Sequence, residues 1–401
     1  MPSFHNYFDI PCCAPLKVPN PLPNASLLTI LLFIRHGMRS PEQLWHLPGN
    51  EGHWNCNGIK NITKFQNVTI NSQPYDYYFF NESKNYTFPP SCDKGSLVNE
   101  GVKQIFDLGG LYYNYSLSTH LISPIDFSNG LSIFSVRSSF VPRCIETALS
   151  FLNGFYQSYD GIINQTLEIE TGKMYEEPLA PFPGGSKLMY QDAVKFIELE
   201  EYKNRINRSE EIIKNFKEYL NVTYPIHQIE SLTFGDYINT LRCAEQEDEM
   251  IRSFNHEVPS EENLITPELH KEIMNNMHFM EAGFYNFSRA PSIAPIYKLI
   301  LPKLKKITSK KPSHVFNFFS GHDGTLSALL TAFGMESEFP PPFASHFLIE
   351  VWKPENSNHV LRISFNGEVI KTIPLKEFKK AAKKLIKEYE KMNESLKKEE
   401  L

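Results

Sequence analysis

Two stretches of the chain are apolar at nearly every position: Leu27 to Ile34 and Val315 to Phe319. A strand without alternation is buried on both faces, as in the middle of a sheet covered by helices on either side. Leu131 to Ser138, His346 to Trp352 and Val360 to Phe365 predict further strands. Between them the spacing changes to threes and fours. It predicts helices over Leu97 to Tyr113 and Arg143 to Phe155, and then over Leu188 to Tyr219, Phe234 to Phe254 and Pro267 to Phe287. Thr266, Pro267 and Glu268 form a strong helix start: a cap, a first-turn proline and an acid at the positive end.

This order predicts an α/β fold with a mostly parallel central sheet flanked by helices. Residues 24–159 and 291–375 form the core, and 160–290 an inserted all-helical cap. Residues 1–23 read as an irregular arm. Residues 42–95, rich in Asn, Pro, Gly and Tyr, read as a long loop over the strand ends that carries Trp45, His46, His53 and Trp54. Met274, Met277 and Met280 read as core. Residues 376–401 form a last helix. Phe378, Ala382, Leu385, Tyr389, Met392 and Leu396 make an apolar seam along it, which suits docking on its own core, with a homodimer seam as the alternative.

Composition narrows the setting. A chain of 401 residues with 41% hydrophobic and 13% aromatic residues can bury a large core. A net charge of −6 provides no general basic field for nucleic acid. No apolar run approaches the roughly 20 residues that span a bilayer. Residues 1–23 lack the apolar stretch of a signal peptide. Yet Asn-x-Ser/Thr triplets begin at Asn24, Asn61, Asn67, Asn81, Asn85, Asn114, Asn164, Asn207, Asn221, Asn286 and Asn393. That is roughly three times the chance number for such a short pattern. The excess predicts a glycoprotein of a lysosomal or vacuolar lumen, or a secreted one, whose signal is missing from this chain. Six cysteines then suit three disulfides, with Cys56 and Cys92 as the first expected pair. No Cys/His spacing suggests zinc, and no cofactor is implied.

The chemistry lies just past the two apolar runs. After Ile34 come Arg35, His36, Gly37, Met38, Arg39, Ser40 and Pro41. Two fixed cations keep an imidazole neutral, with a free lone pair, and offer forked donors to a phosphate. Gly37 is expected to let the backbone approach a ligand closely. After the second run come Gly321, His322, Asp323, Gly324 and Thr325, at the start of a helix whose N–H groups suit an anion.

Both stretches resemble the histidine acid phosphatases. The Arg-His-Gly-x-Arg-x-Pro signature matches at Arg35, His36, Gly37, Arg39 and Pro41, and a His-Asp element matches at His322 and Asp323. Gly101, Gln104, Leu108 and Gly109 match a helical segment of the same family, with Val98 and Asn99 departing slightly from it. The resemblance spans about Asn24 to Gly367. It implies that His36 becomes a phosphohistidine and Asp323 protonates the leaving group. Arg35, Arg39, Arg137 and His322 would hold the phosphoryl oxygens, and Arg143 would be structural. It implies no metal and a small phosphomonoester substrate. Some elements look similar to the 2-phosphoxylose phosphatases. A phytase would want a wide basic pocket, and residues 42–60 supply only Lys60. The alternatives are a catalytically inactive binding protein, which the intact motifs disfavour, and a phosphomutase, which Asp323 disfavours.

Overall fold

The apolar run Leu27–Ile34 lies inside strand β1 (Ala25–Arg35), where Ile30 through Ile34 are at most 1% exposed. Ile30, Leu32 and Ile34 enter one apolar cluster, while Leu31 and Phe33 enter another. This is the period-two alternation of a pleated strand with both faces covered. The computed structural model describes residues 10–42, 54–75, 87–88, 91–123, 131–159, 162–174, 176–181, 186–220, 228–244, 267–307, 315–335 and 337–399. The expected loop residues Trp45, His46 and His53 lie outside them.

Eight further strands join β1: β2 (Val68–Ile70), β3 (Gln73–Pro74), β4 (Phe134–Ser138), β5 (Leu167–Glu170), β6 (Phe316–Gly321), β7 (His346–Pro354), β8 (Val360–Phe365) and β9 (Glu368–Pro374). Their order is β3-β2-β5-β4-β6-β1-β7-β8-β9. The expectation of a mostly parallel sheet is corrected. The run β2-β5-β4-β6-β1 is parallel, but β3 pairs antiparallel to β2, and β7, β8 and β9 continue antiparallel from β1. The described sheet is evenly mixed. The reason is local: β8 and β9 are joined through Asn366 and Gly367, whose φ values are 49° and 81°. Such a two-residue turn makes a hairpin, whereas parallel neighbours need a long crossover.

Helices α2 (Asn99–Ser118) and α3 (Pro142–Phe155) cover one face of the sheet. Helices α9 (Arg289–Ile307), α10 (Asp323–Ala332) and α11 (Leu375–Glu399) cover the other. The seam of α11 docks within the chain: Phe378 and Ala382 are buried, and the Phe378 ring lies 5.4 Å from Tyr297 and 5.9 Å from Phe333.

The segment 160–290 is not wholly helical, because its first part supplies β5 to the sheet. Nor is 42–95 only a loop, since it holds α1 (Gly58–Ile62), β2 and β3. The remaining described helices are α4 (Lys187–Phe196), α5 (Glu200–Leu220), α6 (Gln228–Cys243), α7 (Pro267–His278) and α8 (Phe284–Phe287). A π-helical turn, Phe279–Gly283, joins α7 to α8. Ile212, Ile213, Phe234, Tyr237, Leu241 and Ile273 from the insertion pack with Met38, Trp54, Val98 and Phe343. The helical block therefore leans on the loop that follows β1. Met274, Met277 and Met280 are buried, as expected of core positions.

Cys56 bonds to Cys92, as expected, and Cys12 bonds to Cys243, tying the N-terminal arm to α6. The expectation of three disulfides is corrected to two, because Cys13 and Cys144 are free. Cys13 accepts from Gln104 Nε2 at 2.8 Å, while Cys144 is buried with its thiol on the Gly321 carbonyl at 3.3 Å. No helix among the described residues is long and apolar enough to cross a membrane.

Candidate active site

Strands β1 and β6 are parallel neighbours with Arg35 opposite Gly321. The next residue of each, His36 and His322, therefore emerges side by side at the carboxyl edge of the sheet, where open α/β sheets bind ligands. The two rings stand edge to face with centroids 5.7 Å apart. Strand β4, on the other side of β6, ends alongside: the Ser139 N–H donates to the Ser320 carbonyl at 2.9 Å, and Ser139 Oγ lies 2.8 Å from His322 Nε2.

His36 is 1% exposed, and its Nδ1 lies 2.9 Å from the Gly37 carbonyl. A carbonyl can only accept, so Nδ1 carries the proton and Nε2 keeps a lone pair. Burial holds the imidazole well below its usual range, and Arg143, Arg35 and Arg39 push it further down. His322 is lowered to about 3, by burial first and then by Arg143. Gly37 also lets the loop come close to its own fold. A Cβ there would fall 2.4 Å from the Gly101 carbonyl oxygen on α2. That contact seats the His36 loop on α2, and Gln104 of the same helix accepts from the Met38 N–H at 3.2 Å.

Each cation at the site is held by a carboxylate. Arg35, 2% exposed, pairs with Asp323 at 2.8 Å and stacks over the Phe343 ring at 4.3 Å. Arg39 pairs with Asp236 of α6 at 2.7 Å and lies 3.6 Å from Glu42. Arg143, in the first turn of α3, pairs with Glu42. All three keep a buried Nε–H with no hydrogen-bond partner among the described residues. Buried donors are ordinarily satisfied, so three orphans on three guanidinium groups around one imidazole mark a place for an anion.

The expected site residues thus divide. His36, His322, Asp323, Arg35 and Arg39 converge at one strand edge. Arg137 is committed elsewhere: its guanidinium grips Glu177 through two contacts, at 2.8 and 3.3 Å. Arg143, expected to be structural, instead has a charge that acts on both histidines. Asp236 and Ser139 also contact the site, and the sequence reading gave neither of them a place there. The only available signal was the recurrence of arginine six residues apart across a strand-to-helix turn. At Asp323 burial pushes the carboxyl up, but Arg35, His322 and Arg39 outweigh it and hold it below the usual range. Asp323 Oδ1 also accepts from the Gly324 N–H at 3.0 Å, in the first turn of α10.

Comparison with known proteins gives a consistent picture. The chain is 24% identical to counting factor 60 of Dictyostelium discoideum over 376 residues, 88% of this chain and 84% of that protein. It is 24% identical to 2-phosphoxylose phosphatase 1 of Homo sapiens over 387 residues, 90% of this chain and 75% of that protein. The structure of Hafnia alvei phytase with tartrate superposes with a TM-score of 0.59 at 11% identity, covering 91% of this chain and 98% of the phytase. At that identity the likeness is one of fold. Residues 27–366 match the family described as the histidine phosphatase superfamily (branch 2). The chain belongs to that family.

Proposed function

We propose that the chain hydrolyses phosphate monoesters through a phosphohistidine on His36, in the manner of an acid phosphatase. The observation that carries this reading is the neutral, buried His36 ringed by three guanidinium groups with orphaned donors. His36 Nε2 attacks phosphorus, while Arg35, Arg39, Arg143 and His322 hold the equatorial oxygens on which transition-state charge lies. Arg137 supports the sheet edge through Glu177. The alkoxide leaves with a proton from Asp323, and water, deprotonated by the same group, then hydrolyses the phosphohistidine.

Asp323 is ionised in the resting site, bound to Arg35. A phosphate dianion competes for Arg35 and adds negative charge beside the carboxyl, and both effects raise its proton affinity. Activity should therefore fall on the alkaline side. Glu42 and Asp236 balance the arginines, which supports a substrate with one phosphate over a polyphosphate. A sugar phosphate, as in the name of the human relative, suits this balance better than phytate does.

Of the sequon asparagines among the described residues, Asn24, Asn61, Asn67, Asn114, Asn164, Asn207 and Asn286 are exposed, and Asn393 is half-buried. With two disulfides this supports a glycoprotein of the secretory route, and an unmodified mass for the native protein would overturn it.

The test is rapid-quench labelling with p-nitrophenyl phosphate. His36→Ala should give no phosphoenzyme. Asp323→Asn should label nearly normally, because p-nitrophenolate leaves as a stable anion, yet lose about 10²–10⁴-fold with alkyl phosphates. Equal slowing with both substrate types would remove Asp323 from the role of acid and turn attention to Glu42.

A further inference from the structure

The π-helical turn Phe279–Gly283 packs against the start of α10. Single π turns within helices recur at functional sites, where they re-aim a side chain. This one delivers Glu281 to the residue after Asp323. A Cβ on Gly324 would fall 2.7 Å from Glu281 Oε1 and 2.5 Å from the Tyr285 hydroxyl, so only glycine lets that carboxyl rest where it does. Tyr285 is anchored in turn, donating to the Pro181 carbonyl at 2.6 Å. The Glu281 carboxyl thus rests against the residue next to Asp323 at the start of α10, and the roles above use only one of the two acids.

We propose that Glu281 is a positioning residue that shares a single proton with Asp323, so that the acid of the reaction is a carboxyl pair; this rests on the phosphohistidine reading above.

The charges around Glu281 suit that role. It faces Asp323 from α10, Arg35 from β1 and Asp236 from α6. Tyr285 from α8 stays neutral, pushed up by burial, and His278 from α7 is held by burial at about 4 and stays uncharged. Burial and then the Asp323 carboxylate raise Glu281 well above the usual range, while Arg35 keeps Asp323 low. The resting pair therefore holds its proton on Glu281 and its charge on Asp323. When a phosphoryl group takes the donors of Arg35, Asp323 loses its counter-ion. The Glu281 O–H bond then breaks, its electron pair stays on Glu281, and Asp323 gains the proton. Asp323 passes it to the leaving oxygen as the P–O bond breaks onto that atom. In the second half-reaction water adds to phosphorus and gives a proton back to the pair, while the P–N bond breaks onto His36. The pair ends as it began, with no proton drawn from solvent.

The test is a pH profile of kcat/KM for an alkyl phosphate, with labelling by p-nitrophenyl phosphate as the control. A like-charged neighbour raises the affinity for the last proton of a pair by about one pH unit or more. Glu281→Gln should therefore move the alkaline limb down by that amount and cost about ten- to hundredfold with alkyl phosphates at neutral pH. Labelling of His36 should be nearly unchanged. Glu281→Asp keeps a carboxyl, withdrawn by one methylene, and should recover part of the limb. It carries the test alone should the Gln variant not fold. An unmoved limb, or equal loss with both substrate types, would overturn the proposal. Absence of a phosphoenzyme in the wild-type protein would overturn the phosphohistidine reading instead.

Discussion

Arg143 and Arg137 stand six residues apart, and their partners separate them. Arg137 neutralises Glu177, whose side chain is fully buried. Removing Arg137 leaves that carboxylate unpaired, which typically costs 3–5 kcal/mol, so Arg137→Ala should melt markedly earlier. Arg143 keeps an orphaned Nε–H beside the two histidines. Arg143→Ala should fold close to normally and lose about 10²–10³-fold in kcat, the usual cost of one donor to developing charge. Melting curves and steady-state rates on both variants check the pair, and the opposite pattern would return Arg137 to the site. At this scale Arg35, His36, Arg39, His322 and Asp323 were legible in the sequence because each group is contiguous and follows an apolar run. The proposed exchange of Arg137 for Arg143 was not legible. Both lie on one short strand-to-helix segment, and only the direction of the first turn of α3 decides which faces the cleft. Asp236 and Glu281 were hidden for a different reason: they come from helices far along the chain, and no local pattern marks a carboxyl that will meet a site across the fold.

Among the elements, length and burial together decided what could be read: the seven-residue β9 is mostly exposed and was not expected. Strands β1, β6, β7 and β8 have six to eleven residues and long buried stretches, and each was expected close to its place. Strands β2, β3 and β5 have two to four residues, too few for a period to stand out. One polar feature of the sheet also escaped the pattern of apolar runs. Glu350 on β7 and Arg362 on β8 face each other across the antiparallel register. Both are buried; Arg362 Nε donates to Glu350 Oε2 at 2.7 Å, and the Tyr115 hydroxyl of α2 donates to Oε1 at 2.5 Å. The Arg362 guanidinium also lies over the Trp352 ring at 4.9 Å. With every oxygen of the carboxylate satisfied, the pair is stable only as a unit. Arg362→Met should lower stability by about 3–5 kcal/mol, whereas Arg362→Met with Glu350→Leu should recover most of it. Denaturant midpoints for both single variants and the double variant measure this; additive losses would mean that the two side chains do not act together.

Across the whole molecule, buried titrating groups set opposite pH limits. His270, His278 and His346 are at most 7% exposed, and burial lowers them to about 3, 4 and 4, with His322 at about 3. In the unfolded chain each takes up a proton near its usual value of about 6.5. Below that pH the unfolded state binds more protons than the folded one, so these groups make stability fall as the solution becomes more acid. Two carboxyls act the other way. Burial raises Glu146 to about 8, and Glu281 is raised by burial and by Asp323. Their folded forms keep protons that the unfolded chain releases above about 4.5, so they make stability fall as pH rises toward 8. The two trends cancel where the protons held by the folded carboxyls equal those taken up by the unfolded histidines. Thermal melting from pH 4 to 8 should therefore give a dome: His270, His278, His322, His346 and the equally buried His36 shape its acid limb, and Glu146 and Glu281 its alkaline limb. Glu146→Gln should flatten the alkaline limb and move the top of the dome to higher pH. A melting temperature that rises steadily down to pH 4 would mean that the histidines are charged in the folded protein. It would also remove the neutral imidazole on which the nucleophilic role of His36 depends.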